Sequence, residues 1–346
     1  FLQHSESAVL PHTALKPASR PIPAFSRSAR AASGACPEPT RLSRAVQGAI
    51  AVLALGAGVV MTWLSNQTLG TKLAVLILAL LLVVSMMSSR GEAPGYSSLI
   101  LSAKQSAILA LSLWDDLIVP NFIEVTPNTY STSNLEFGMS TEMGGGFAYV
   151  YGGTGSVWFN SSYGPSSGNN NLLSPALGKH GFLTYIHEIG HALGLAHAGD
   201  YNGTGNWSPS NFHDSSVFTT MSYFGPNRRS GEGDVAWADW IGADGILYSP
   251  QTPMLNDVYV IQQIYGASTT TRTDNTVYGF NSTITGTSGQ IFDFVRNLNP
   301  ILTIYDSAGV DTLDLSGWST PSIIDIRPGA FSSANSMTNN IAIARN

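Results

Sequence analysis

The sequence predicts an α+β protein with two folded parts that follow a basic N-terminal region. Between residues 96 and 250, segments with helical spacing of apolar residues alternate with short strand-like runs. After residue 266 the runs are short, strand-like and separated by turn residues, which is typical of a small all-β domain of the β-roll or sandwich type. Charged residues make up only 11% and glycines number 35, a composition that disfavours a helical bundle.

Each element follows from its local pattern. Apolar residues that recur every three or four positions predict helices over 102–117, 182–193 and 255–265. Strands of the first part are predicted at 122–125, 135–139, 147–151 and 157–160. Those of the second part are predicted at 276–280, 291–294, 301–305, 312–315, 322–326 and 340–344. Two prolines within 249–254 place the boundary there, so that 251–346 contains a linking helix and the β-rich domain.

Charge separates the N-terminal region from the rest. The net charge is +6 over residues 1–90 and −12 over 91–346. The total of −6 argues against a nucleic-acid partner. With Cys36 as the single cysteine, no disulfide can form within the chain, and bound calcium would be a suitable alternative staple for the acidic part.

Residues 1–95 form the basic region, in which 1–44 have the composition of a disordered or targeting segment. Two uncharged apolar segments follow, at 45–64 and 73–87. The first is long enough to span a bilayer and the second is marginal, so membrane association through 45–87 stays open. A cleaved signal region and an unrelated fused segment are the alternatives.

The chemistry is concentrated at His187-Glu188-Ile189-Gly190-His191. The two histidines are four positions apart, so their imidazoles lie on one face of a helix and can bind one ion. Zinc suits such ligands and leaves an open coordination position. Glu188 would then act as general base toward a water that the metal activates.

Gly194 allows the chain to turn sharply after the helix, which would return His197 as the third zinc ligand. A chance match to the whole pattern is expected only about once in 10^5 chains of this length. His180 and His213 are interpreted as surface or loop residues outside the site.

His-Glu-x-x-His-x-x-Gly-x-x-His resembles the zinc signature of the metzincins, and Met221-Ser222-Tyr223 resembles their Met-turn. Tyr223 and the stretches 196–201, 257–266 and 271–280 are similar to the serralysin group. The resemblance implies a metzincin catalytic domain over 96–250, with a twisted, mostly parallel sheet and a zinc-binding helix. In it, Met221 would pack beneath the zinc, and Tyr223 would stabilise the oxyanion.

The same resemblance implies a secreted, monomeric endopeptidase that acts on proteins or peptides. An edge strand would align the substrate by strand addition, and 147–151 or 157–160 are the candidates. It also implies structural calcium in the C-terminal domain, held around Arg272, Asp274, Thr276, Asp306, Gly309 and Asp311.

The sequence departs from the serralysin pattern at three places. Ala308 stands where the family usually has glycine, and Pro328 falls near a family calcium ligand. The glycine-rich repeats of the β-roll do not occur within the 346 residues. The main alternative function is a catalytically silent calcium-binding adhesion protein that retains the fold, but Glu188 argues against it.

Overall fold

The computed structural model of the chain describes residues 82–85, 95–125, 135–141, 148–151, 156–201, 209, 211–226 and 237–345. All of them belong to one compact unit, 67–346. The apolar segment 45–64 lies outside the described residues, as does all of 73–87 except Leu82–Ser85, which forms a strand. Within these ranges, no helix has both the length and the apolar character needed to cross a membrane.

Helix α1 comprises Leu101–Asp115, close to the predicted 102–117. Its inward face carries small side chains, and Ala103, Ala107 and Ala110 are fully buried beside Trp114. The indole Nε1 of Trp114 donates a hydrogen bond to the carbonyl of Ile186, 3.2 Å away. This bond fixes α1 against the helix that carries the metal motif.

A six-stranded mixed sheet precedes that helix in the chain. Its main strand order is β3-β1-β4-β6-β5, and β2 pairs with β4. The strands are β1 (Leu82–Ser85), β2 (Tyr96–Ser97), β3 (Phe122–Val125), β4 (Leu135–Ser140), β5 (Ala148–Tyr151) and β6 (Ser156–Asn160).

Most neighbours in this sheet are parallel. The pairs β1–β3, β1–β4 and β4–β6 are parallel, whereas β2–β4 and β5–β6 are antiparallel. All four strands predicted for this part are present, and β1 adds a strand from before residue 96. The antiparallel strand β5 lies at the end of the order, which leaves one of its edges without a strand partner among the described residues.

Helix α2 comprises His180–Ala192 and begins two residues before the predicted 182–193. Phe182, Ile186 and Ile189 are buried, and the helix packs against α1, β5 and β6. The hydroxyl of Tyr185 donates a hydrogen bond to the carbonyl of Leu172 at 2.7 Å. The helix that bears the first two histidines is therefore held by apolar packing along its buried face.

The C-terminal part begins with helix α3 at Leu255–Tyr265, where the sequence predicts it. Two small sheets follow. In the first, β7 (Val277–Gly279) pairs in parallel with β9 (Thr312–Asp314). In the second, β8 (Leu302–Ile304) is parallel to β11 (Ile341–Ile343), and β10 (Phe331–Ser332) is antiparallel to β11. Four of the six strands predicted for this part are therefore present.

Two of the predicted strands are wrong. Residues 291–294 belong to a one-turn helix, α4 (Gly289–Phe292), and its exit. Ile291, Phe292 and Phe294 are all buried, and a fully buried apolar run does not show whether its period is that of a strand or a helix. Residues 322–326 form only an isolated bridge from Ile323 to Ser333. Ile323 is 75% exposed, so no packed face fixes this run as a strand.

One apolar cluster includes residues from both sides of residue 250. Ile186 and Ile189 of α2 belong to the same buried cluster as Val258 of α3, Tyr278 of β7 and Leu302 of β8. The described residues thus form a mixed α and β structure with small sheets. Its division into a catalytic domain before residue 250 and an all-β domain after the linking helix stays a prediction.

Candidate metal centre

Three imidazoles meet at the end of helix α2. The Nε2 atoms of His191 and His197 are 3.0 Å apart, and those of His197 and His187 are 3.3 Å apart. The potential ligand atoms of all three lie within 4.8 Å of one another. A tetrahedral zinc site with bonds of about 2.0–2.1 Å requires nitrogens roughly 3.3 Å apart. The spacing therefore fits a zinc ion with three histidine ligands.

The third histidine reaches this point because the chain reverses at Gly194. The helix ends with hydrogen bonds from the amides of Gly194 and Leu195 to the carbonyls of His191 and Gly190, both 2.9 Å long. Gly194 has a φ of +101°, a region that side chains with a Cβ rarely adopt. A Cβ at this position would have nothing within 4 Å, so the requirement for glycine comes from the backbone conformation alone.

Backbone carbonyls orient the imidazole rings. The Nδ1 of His187 donates to the carbonyl of Thr220 at 2.8 Å, and the Nδ1 of His191 donates to that of Leu195 at 2.8 Å. The ring of His197 bonds to the backbone of Tyr201. A hydrogen bond that fixes the proton on Nδ1 leaves the lone pair of Nε2 directed at the metal position.

Burial favours the neutral imidazoles that metals bind. Desolvation lowers the pKa of all three histidines, and it lowers that of His187 to about 3 with a smaller contribution from the charge of His191. Because the lowered pKa values leave the three rings unprotonated near neutral pH, their Nε2 atoms are available as metal ligands.

Glu188 follows the first of these histidines in α2, and the ring of Tyr223 lies against the imidazoles. Glu188 is only 7% exposed, and burial raises the pKa of its carboxyl to about 8. A cation at the three histidines would lower this pKa again, because it favours the carboxylate. Tyr223 is 42% exposed, and its ring centroid is 4.5 Å from that of His197. Burial, and secondarily the charge of Glu188, raises the pKa of Tyr223.

Met221 is buried on the inner side of α2. Its Sδ would be 2.8 Å from a Cβ at Gly190, so the two residues are in direct contact. The residue before it, Thr220, supplies the carbonyl that accepts the bond from His187. The loop containing Met221 therefore contacts the metal helix by packing and by a hydrogen bond.

Sequence reasoning missed the buried carboxylate that holds this loop. Asp257 of α3 accepts hydrogen bonds from the hydroxyl of Thr219, from the amide and hydroxyl of Thr220 at 2.7 and 2.8 Å, and from the amide of Met254 at 2.9 Å. In the sequence, Asp257 is recognisable only as an acid in the first turn of a helix. Its partners around residue 220 give no local signal.

Two other histidines and the two candidate substrate strands lie outside the three-histidine group. His180 begins α2, and His213 lies in a loop, where its Nδ1 is 3.1 Å from the side-chain Nδ2 of Asn256. Neither belongs to the three-histidine group. Of the two candidate substrate strands, β6 has a strand on both sides, which rules out strand addition to it. Strand β5 has no strand on its outer side within the described ranges. Phe147, the first residue of the predicted 147–151, lies outside those ranges.

Comparison with known proteins decides the family. A family model described as the Peptidase M10 serralysin C terminal matches residues 267–346. Serralysin C of Dickeya chrysanthemi is 35% identical over 254 residues, which cover 69% of this chain and 49% of that protein. The serralysin of Proteus mirabilis is 34% identical over 266 residues, covering 70% of this chain and 50% of its own.

The chain belongs to the serralysin family. A third relative, the serralysin of Photorhabdus laumondii, is 33% identical over 256 residues and covers 70% of this chain. The chain spans about half the length of the curated serralysins that it matches. The resemblance stated from the zinc motif, the Met-turn and Tyr223 is thereby confirmed.

The loops expected to bind calcium in a serralysin lie side by side. The amide of Ser307 bonds to the carbonyl of Thr271, and that of Thr312 bonds to the carbonyl of Thr276. At Gly309, a Cβ would stand 2.6 Å from the carbonyl oxygen of Asp274 and 3.0 Å from Oδ1 of Asp311.

Among the predicted calcium-binding residues, the side chains of Arg272 and Asp306 already bond to other residues of the chain. The guanidinium of Arg272 pairs with Asp116, and the carboxylate of Asp306 accepts from Tyr278 at 2.7 Å. For Arg272, only the carbonyl is a suitable calcium ligand. The groups that approach one another beside Gly309 are a carbonyl oxygen of Asp274 and a carboxylate oxygen of Asp311, the type of ligand that calcium prefers.

We predict that Gly194→Ala weakens zinc binding about tenfold, because an alanine at this φ costs roughly 1–2 kcal/mol and the loop must hold it to bring His197 to the metal. Zinc affinity is measured by competition with a chromophoric chelator. Gly245→Ala is the matched control, since Gly245 also has a positive φ, +74°, and open space around a Cβ. Its affinity should stay within about twofold of the wild type. Equal zinc affinities for the two variants would contradict the role assigned to the reversal.

Proposed function

We propose that the chain is a zinc-dependent endopeptidase that hydrolyses peptide bonds of protein substrates. The observation that carries the proposal is the convergence of the Nε2 atoms of His187, His191 and His197 at the spacing of a zinc site. Membership in the serralysin family supports the same activity. These three histidines would hold one zinc ion.

Zinc bound there would supply a Lewis acid that polarises the scissile carbonyl and makes a water molecule more acidic. Glu188 would take a proton from the attacking water and deliver it to the amine that leaves. Its position supports this role, because it follows the first ligand in the chain, is buried, and is not itself one of the three convergent ligands.

Tyr223 would stabilise the negative charge that develops on the carbonyl oxygen. Burial raises the pKa of its phenol, so the group stays protonated and able to donate a hydrogen bond at neutral pH. Its ring lies beside that of His197, at the edge of the metal position. Met221, buried against Gly190 of α2, would form an apolar support beneath the metal.

The substrate would bind in extended form along β5. This strand lies at the end of the sheet and packs near α2, and an added strand would place a peptide backbone alongside it. Hydrogen bonds to the backbone do not depend on side chains, so this mode favours broad specificity.

We predict that the purified full chain cleaves casein, loses this activity to a chelator and regains it with zinc. Glu188→Gln should retain zinc, because Glu188 is not a ligand, yet cleave about 10²–10⁴-fold more slowly, because the amide cannot carry the proton. The control is Glu124→Gln, which changes an exposed carboxylate of β3 that pairs with Lys104 of α1. We also propose that the protein is secreted. Caseinolytic activity in the culture medium, and not in the membrane fraction, is then expected.

Two results would count against the proposal. If Glu188→Gln cleaves casein as fast as the wild type, the general base is another group. If the wild type binds zinc but cleaves no casein, the catalytically silent alternative is correct.

We further propose that calcium binds between the loops 271–276 and 306–311. It should then raise the midpoint of thermal unfolding, since it would bind the folded chain and not the unfolded chain. Asp311→Asn should reduce this calcium-dependent increase, whereas Asp325→Asn, which alters an exposed pair with Arg327, should preserve it. A midpoint that is the same in calcium and in a calcium chelator would exclude the site.

A further inference from the structure

Two tyrosine rings lie against the third histidine of the metal site. The centroid of the Tyr201 ring is 5.4 Å from that of His197 and 4.7 Å from that of Tyr223. The rings of His197 and Tyr223 are themselves 4.5 Å apart. The three rings therefore form one contiguous group, in which a shift of Tyr201 would be transmitted to both neighbours.

The hydroxyl of Tyr201 also joins two polar partners. It donates a hydrogen bond to Oδ1 of Asp214 at 2.6 Å and accepts one from the amide of Tyr223 at 3.4 Å. Tyr201 is itself buried. The hydroxyl therefore bridges the carboxylate of Asp214 and the backbone of residue 223, with its donor and an acceptor function both in use.

Asp214 anchors this arrangement. Its carboxylate is fully buried and also accepts a hydrogen bond from the hydroxyl of Ser222 at 2.7 Å. The same hydroxyl of Ser222 accepts a bond from the amide of Phe224 at 3.1 Å. Ser222, the residue before Tyr223, therefore bonds directly to Asp214. Phe224, the residue after Tyr223, is connected to Asp214 through the hydroxyl of Ser222.

The segment after His197 leaves room for these contacts. A Cβ at residue 199 would lie 2.3 Å from Cε1 of Tyr201 and 2.6 Å from Oδ2 of Asp214. Any residue other than glycine would push apart the ring and the carboxylate. Gly199 therefore permits the close approach on which the contact between Tyr201 and Asp214 depends.

We propose that Tyr201 is a positioning residue that holds the ring of Tyr223 beside the imidazole of His197. This inference rests on the proposed function, because the phenol that Tyr201 would position is the one that would stabilise the oxyanion. Tyr201 does not act on the substrate. It fixes the backbone at residue 223 through its hydroxyl and the phenol of Tyr223 through its ring.

The kinetic test compares Tyr201→Phe, Tyr223→Phe and the double variant of the full chain on labelled casein. Loss of the hydroxyl should lower kcat about tenfold and leave KM within about twofold, because the affected interaction matters in the transition state. In the Tyr223→Phe background the same change should have no further effect on kcat, since Tyr201 acts through Tyr223. Tyr248→Phe, which removes a tyrosine–aspartate bond to Asp244 elsewhere, should leave kcat unchanged.

A second measurement needs neither zinc nor activity. In zinc-free protein labelled with 3-fluorotyrosine, the fluorine resonance of Tyr223 is assigned by its absence in Tyr223→Phe. Tyr201→Phe should shift or broaden this resonance, and Tyr248→Phe should not. Asp214→Asn, which keeps the shape of the acceptor but removes its charge, should act in the same direction to a smaller extent and serves if Tyr201→Phe fails to fold.

An unchanged Tyr223 resonance in the Tyr201→Phe protein overturns the inference. So does a loss of kcat from Tyr201→Phe that persists undiminished in the Tyr223→Phe background, because Tyr201 would then act independently. If the wild type cleaves no casein, the proposed function fails, and the fluorine resonance alone decides whether Tyr201 positions Tyr223.

Discussion

The structure depends on the meeting of three imidazole nitrogens at one point. The Nε2 atoms of His187 and His191 are placed by one helix, but that of His197 comes from a segment that must reverse direction after the helix. Gly194, with its positive φ, makes the reversal. Backbone carbonyls then fix the outer nitrogens, so that the orientation of each ring follows from the path of the main chain.

Two buried carboxylates hold the loop that faces this site. Burying a charge is costly unless hydrogen bonds compensate it, and both carboxylates are bonded to several donors. Asp257 binds Thr219 and Thr220 from helix α3, and thereby fixes the carbonyl that accepts from His187. Asp214 binds Ser222 and Tyr201 on the other side of Met221. The metal site thus depends on α3, which lies beyond residue 250.

The parts that the sequence predicted are those in which neighbouring residues carry the information. The i,i+4 spacing of His187 and His191, the glycine at 194 and the periodicity of 255–265 are all local signals. The bonds that Thr220 donates to Asp257 and that Tyr201 donates to Asp214 join residues 37 and 13 positions apart, and no local sequence pattern indicates them. The helical turn at 289–292 was missed for a different reason, because burial on all sides removes the periodicity that distinguishes a helix from a strand.

We expect His187, His191 and His197 to bind one zinc ion together. X-ray absorption at the zinc edge, on the full chain loaded with one equivalent of zinc, measures the ligand set directly. We predict three imidazole nitrogens at about 2.0–2.1 Å, with any further ligand being oxygen or nitrogen. In the His197→Ala protein the number of imidazoles should decrease to two. A wild-type spectrum with a sulfur ligand, or with fewer than three imidazoles, would contradict it.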